Sequence, residues 1–485
     1  MSTRPRRDLG LAAAVVTGCL LLSACGGGSA GNEAAGPTPT PSGTTTTTPP
    51  GDAAGQSAPP PAVPSLPEVT ADLAGDLQGV LDARAAAVLH RDRPAFLAGL
   101  ADDEALRTTE GGYFDNLAQL PISIFAYRLE PASLVRTDGA YWAVVTVDLQ
   151  LAPYDVAPVR TADRIQFVPA DPHGVQDGRF RISSTTDPRW EVENLPVQQP
   201  WDTEPVTVRE GAGVLAVFDT ADDAQAAGVV AAVERGIADI SARVPYPEWG
   251  SRAVVYALGD PRFLDDFDDL PGGDPQALDG VAFTVPSGTD PAVPEAAAST
   301  RIALSPALLP AAASAQPDVR LDRLVRHELA HVAIGQHDDG APVWLSEGIA
   351  EWLSVQALAP DQRQVPAEAL RAARRGIDAM PGDAEFNDDA AVQHYALAWW
   401  VCEWLVRTYD AQAPFVLLDH LAARPDDDPE AVVEEVLRQP VDAIARQAAR
   451  LMVQTYAPAT PAPAPTPAPT PGTPPVPGST PTVSE

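Results

Sequence analysis

Two proline-rich flanks set the limits within which this chain can fold. Residues 26–67 hold ten prolines together with Gly26-Gly27-Gly28 and the run Thr44 to Thr48, and residues 457–485 hold eleven more. Segments rich in proline and poor in bulky apolar side chains bury too little surface to offset the entropy of ordering them, and they favour extended polyproline II conformations. A packed core is therefore expected only within residues 68–456, room for two domains of usual size. No internal repeat is apparent, which argues against a solenoid or a propeller.

Charge and the N-terminal residues narrow the setting. The chain has 66 acidic and 32 basic residues, all of the latter arginine, for a net charge of −34. Such a surface repels phosphate backbones, whose binding is driven by clustered cations, so no nucleic-acid partner is expected. Arg4, Arg6 and Arg7 precede an apolar run from Leu9 to Leu22. At about 14 residues that run is shorter than the roughly 20 a bilayer-spanning helix needs, and it reads as a signal peptide over residues 1–24. Its end, Leu22-Ser23-Ala24-Cys25, resembles the lipobox of bacterial lipoproteins. The resemblance implies lipidation of Cys25 and an extracytoplasmic protein anchored to the cell membrane, with residues 25–67 as the tether and 457–485 as a tail. Cys402 is then the one cysteine left unmodified, so no intramolecular disulfide is expected.

Hydrophobic periodicity divides the interior near residue 205, and the whole reads as α+β. Over 68–204, helical spacing runs from Val69 to about Leu100 with Pro94 breaking it. Period-two alternation then takes over in Tyr141 to Leu151, and again at Ile165 and Phe167, Phe180 and Ile182, and Trp190 and Val192. A helix pair followed by a curled antiparallel sheet resembles the cone-shaped nuclear-transport-factor-2-like domains, which implies a structural or recognition role. Over 205–456 a strand (Val214 to Phe218), a helix (Ala221 to Ala242) and a strand (Ala253 to Leu258) alternate before a mostly helical second half. The acidic run Asp265, Asp266, Asp268 and Asp269 reads as a solvated turn, because it lacks the spacing of a calcium loop.

The chemistry is concentrated in His327-Glu328-Leu329-Ala330-His331. Histidines at i and i+4 share one face of a helix, where two imidazoles can meet one metal ion. The flanks predict that helix: Pro317-Asp318 gives a start signal, and Leu321, Val325, Leu329 and Val332 trace an apolar stripe. Glu328 is then placed to act on a water at the metal instead of binding it. A catalytic zinc site needs a third protein ligand. Fifteen residues after His331 comes Trp344-Leu345-Ser346-Glu347-Gly348-Ile349-Ala350-Glu351-Trp352, with Glu347 the expected third ligand. Glu351, one turn later, can accept a hydrogen bond from a ligand histidine and fix its tautomer. His90, His173, His337 and His420 have no metal partner at ligand spacing.

His-Glu-x-x-His followed by Trp-Leu-x-Glu-Gly-x-Ala resembles the gluzincin metallopeptidases, in particular their peptidase MA-like group. The resemblance covers roughly residues 205–456. It implies a zincin-like fold with a mixed sheet, Zn2+ on His327, His331 and Glu347, Glu328 as general base, and a peptide or protein substrate. Tyr395, opening the helical run Tyr395-Ala396-Leu397-Ala398-Trp399-Trp400, resembles the family's oxyanion-donating tyrosine, with His394 as a rival. Thr300 to Ser305 resembles the edge strand along which substrates lie, although a packed internal strand fits the same residues. The alternative from another class is a catalytically silent, metalloprotease-like lipoprotein that binds a cell-envelope partner. A solute-binding lipoprotein would need two similar α/β lobes, which the strand-rich first unit does not offer.

Overall fold

The computed structural model describes residues 68–137, 139–171, 179–194, 198–219, 221–259, 279–286, 297–314 and 316–457, and these form an α+β protein with two five-stranded sheets. Cys25, the signal peptide and tether, the acidic run at 265–269, His173 and the tail beyond Ala457 lie outside the described residues. α1 (Ala71–Leu89) starts at Thr70, whose hydroxyl accepts the Leu73 N–H, and buries Leu73, Leu77, Leu81 and Val88. The expected break at Pro94 falls earlier. Arg91 turns left-handed at φ 55°, Asp92 accepts the Ala95 N–H, and Pro94 sits in the first turn of α2 (Arg93–Ala98), where its missing N–H is not needed. α3 (Glu104–Leu117) makes a third helix, not a pair. Its buried stripe is only Glu110, Gly111, Phe114, Asn116 and Leu117, too polar for periodicity to reveal.

β1 (Ile122–Leu129), β2 (Val135–Thr137), β3 (Ala140–Leu151), β4 (Val159–Pro169) and β5 (Phe180–Ser184) form the first sheet, all antiparallel, in the order β1-β3-β4-β5 with β2 beside β3. The sheet curls into a half-barrel. In β3, Val145, Val147, Leu149 and Leu151 are buried as expected, but Asp148, on the face expected to be wet, is buried too, paired with Arg128 and Arg160. The strand expected at Trp190 and Val192 is instead α4 (Pro188–Asn194). Asp187 accepts the Arg189 and Trp190 amides, Glu191 accepts the Asp187 amide, and this reciprocal capping overrides a two-residue alternation.

After α5 (Pro200–Thr203), the second sheet is built from β6 (Thr207–Gly211), β7 (Val214–Phe218), β8 (Ala253–Ala257), β9 (Gly280–Pro286) and β10 (Ala297–Leu304), with α6 (Asp223–Ser241) crossing between β7 and β8. The order is β6-β7-β8-β10-β9; β7, β8 and β10 run parallel, and β6 and β9 pair antiparallel at the two edges. The segment containing Thr300 is therefore internal, and the strand at that edge is β9. Both faces of the three parallel strands are buried, as such strands require. Val214, Ala216, Val255 and Ile302 face α6 and the helical half, whereas Leu215, Val217, Tyr256 and Ala303 pack on the first unit. Asn116 ties the join, donating to the Trp201 and Glu204 carbonyls and accepting the Val206 N–H.

The helical half comprises α7 (Leu309–Ala312), α8 (Val319–Ile334), α9 (Val343–Val355), α10 (Ala367–Arg375), α11 (Ala391–Thr408), α12 (Ala413–Ala422), α13 (Pro429–Leu437) and α14 (Val441–Thr455). Asp318 caps α8 by accepting the Leu321 N–H. α8 packs against α6, β9 and α9, and α9 in turn against α11. Gly348 permits that last approach: a Cβ there would stand 2.6 Å from the Ala398 carbonyl oxygen. Among the described residues no helix is long and apolar enough to cross a membrane.

Candidate metal centre

α8 and α9 bring the two motifs together. The Nε2 atoms of His327 and His331 lie 3.3 Å apart, as the one-turn spacing dictates. Glu347 Oε2, reaching across from α9, is 3.4 Å from His327 Nε2 and 3.7 Å from His331 Nε2. The three side chains, 0%, 5% and 1% exposed, form a buried group that can hold a metal ion, with one ligand atom of each within 4.8 Å of the others. Burial works against the Glu347 anion, but the two imidazoles outweigh it and hold the carboxyl below the ordinary carboxylate range.

Each histidine has its own support on the far side. His327 Nδ1 lies 3.3 Å from Glu351 Oε1, the placement expected of that carboxylate. Arg323, a turn before His327 on α8, pairs with the other Glu351 oxygen and donates to Ser354 Oγ at 3.3 Å. Burial opposes the Glu351 anion, yet Arg323 and His327 hold its carboxyl far below the usual range. His331 Nδ1 is 3.4 Å from Ser346 Oγ, and the Ser346 hydroxyl donates to Asp338 Oδ2 at 2.6 Å. Sequence reading missed Arg323, Ser346 and Asp338. Arg323 was legible, since 323, 327 and 331 share a helical face. Asp338 was not, because it lies in the turn after α8, where spacing carries no face.

Glu328 points elsewhere. It is fully buried on the side of α8 next to β9, near the Ala282 amide, yet neither carboxylate oxygen makes a hydrogen bond of normal geometry. Burial, with Glu347 adding and His327 opposing, pushes its carboxyl up to about 8. A buried carboxylate with no partner is costly. Two imidazoles and the Glu347 carboxylate are the donor types that a divalent cation takes.

Tyr395 lies in α11, which begins four residues earlier than the run the sequence singled out. Its ring packs on Phe386 at 4.9 Å, its hydroxyl donates to Asn387 Oδ1 at 3.2 Å, and it shares a cleft of about 450 Å³ with Glu351. His394 is taken up locally, with Nδ1 2.9 Å from the Phe386 carbonyl oxygen. His337 stacks on Tyr246 and bridges Glu248 and Asp419, His90 Nδ1 meets the Ala86 carbonyl oxygen, and His420 is exposed. No protein family, curated protein or solved structure matches this chain, so the meaning of the site rests on its own geometry.

Proposed function

We propose that this protein is a zinc-dependent metallopeptidase held outside the cytoplasm by a lipid on Cys25. One observation carries the reading: His327, His331 and Glu347 converge while Glu328, on the same helix, is buried with no hydrogen bond of normal geometry to its carboxylate among the described residues. Zinc on those three residues would supply Lewis acidity, activating water and polarising a carbonyl. Glu328 accepts the proton of the attacking water on its carboxylate and delivers it to the leaving amine. Glu351 and Ser346 hold the two imidazoles in one tautomer, each through Nδ1. The Tyr395 phenol is the donor for the oxyanion that develops on the substrate. β9 pairs only with β10 among the described residues, and its outer edge offers backbone groups to an extended peptide.

The near-complete burial of all four residues also suits the silent, partner-binding alternative. Cleavage of denatured casein by the zinc-loaded protein separates the two. The Glu328→Gln variant is expected to keep its zinc and lose at least about 100-fold in rate. Unchanged rate in that variant, or an inert wild type with full zinc occupancy, overturns the peptidase reading.

A further inference from the structure

A cleft of about 450 Å³ lies between the start of α8, the segment after α9, and α11, walled by Val319, Leu358, Val365, Pro366, Val392 and Trp399. Val319, 52% exposed, stands open to solvent at its rim. The charged groups in the wall are engaged: Arg323 pairs with Glu351, Glu351 also meets His327, and Arg320 pairs with Asp279 at 2.6 Å. Such a space suits an uncharged occupant with apolar groups on its surface. The described residues end close by. Tyr456, the C-cap of α14, packs its ring on Trp400, the neighbour of Trp399, with centroids 5.6 Å apart, and its hydroxyl donates to the Arg363 carbonyl oxygen. Arg363 stands between Gln362 and Gln364, which both line the cleft. One side chain thus links the end of α14 to the rim. From Pro458 to Pro471 the sequence has seven prolines in 14 residues, and the other seven are alanine or threonine, without a charge. Proline fixes φ, so a polyproline II ligand loses little further entropy on docking, and aromatic-lined grooves take such segments by their rings. At about 3.1 Å per residue, 14 residues reach about 40 Å, ample for a cleft that begins one side chain away.

We propose that residues 458–471 of this chain's own tail occupy the cleft as an intramolecular polyproline II ligand. Docking of this kind needs no opening towards the metal group and is independent of the peptidase reading. A short tether presents the segment at an effective concentration of a few millimolar, so a free-peptide Kd of about 0.5 mM or tighter keeps the cleft mostly filled. Calorimetry with a synthetic peptide of residues 458–471 tests this on the full chain and on a chain ending at Ala457, which keeps every described residue. The shortened chain should bind the peptide with a Kd of about 0.5 mM or tighter, and the full chain at least about fivefold more weakly, because its own tail must first leave. Serine in place of the seven prolines of the peptide should weaken binding at least about tenfold, through the lost preorganisation. Val392→Glu and, separately, Val365→Glu, both half-buried in the wall, should weaken binding to the shortened chain by about the same factor, since each sets a charge against the docked segment. No binding to the shortened chain, equal affinity for the two chains, or equal affinity for the serine peptide overturns the proposal. Binding that survives in both cleft variants places the tail elsewhere and overturns it as well.

Discussion

Two of the polar clusters buried among the described residues balance their charge differently. Between the units, Arg301 of β10 and Asp155 have fully buried side chains paired at 2.6 Å, with the Tyr256 hydroxyl accepting from Arg301 Nε at 3.2 Å and donating to Gln199 at 3.0 Å. One cation meets one anion, and the cluster is complete in charge. Between α8 and α9, Arg323 cancels Glu351, but Glu347 faces two imidazoles and no arginine. A buried charge that is cancelled joins parts of the architecture; a buried carboxylate with two imidazoles and no arginine beside it is a donor set for a divalent cation.

Loss of one metal-group side chain separates the two clusters most. Glu347→Ala should drop zinc from about one per chain to near none and weaken affinity at least about 1000-fold, measured by chelator competition. Zinc retained at full affinity would mean that the cation, if it binds, is held elsewhere. At the other cluster, Arg301→Met leaves Asp155 buried and unpaired, which should cost about 3–5 kcal/mol in urea unfolding. Adding Asp155→Asn, which keeps the acceptor for the Leu151 N–H, should recover most of that loss. Zinc affinity should stay within about twofold in either variant, because the Arg301 cluster serves the join alone. A cost below about 1 kcal/mol would show that the Arg301 pair contributes little to the join.

A finer contrast lies within the metal group. His327 leans on a carboxylate that an arginine keeps ionised, whereas His331 leans on a neutral hydroxyl backed by Asp338. Burial is the main reason Asp338 is pushed up to about 6. Ser346→Ala should therefore weaken zinc about tenfold, and Glu351→Gln somewhat more, up to about 100-fold, within the usual range for residues that orient ligands. The reverse order would show that the two supports are not graded by charge.

The candidate ligands and Glu351 were legible because helices convert spacing into direction: 327 and 331 share a face, as do 347 and 351. Asp318 as the cap of α8, the strand at Val214 and the alternation in β3 were readable for the same local reasons. Strand order was not. Nothing in Thr300 to Ser305 says that β10 inserts between β8 and β9, since parallel pairing is decided by crossovers and not by local pattern. α4 was misread because two alternating residues are weaker than the capping of Asp187 and Glu191. The interface cluster was invisible, since Asp155 and Arg301 are 146 residues apart and meet only across the join.

A third way of handling buried acid appears beside Arg301, and it gives the smallest effect. Asp163 and Asp202 line the same small cavity as Arg301, whose charge Asp155 has already taken. Burial, with Glu191 and Glu110 adding for Asp163, pushes Asp163 and Asp202 each up to about 7. Here a proton does what arginine does for Asp155. The sign follows from linkage: the folded state holds these protons more tightly than the unfolded chain, where the carboxyl pKa is about 3.9, so stability falls as pH rises from about 4 through 7 and then levels off. Asp163 keeps some solvent contact, so its share is about 1–2 kcal/mol between pH 5 and pH 8, less than the full shift would give. Asp163→Asn should therefore raise the melting temperature by a few degrees at pH 8 and barely at pH 5. An equal gain at both pH values would mean that Asp163 stays ionised throughout, and that the cavity draws on Arg301 after all.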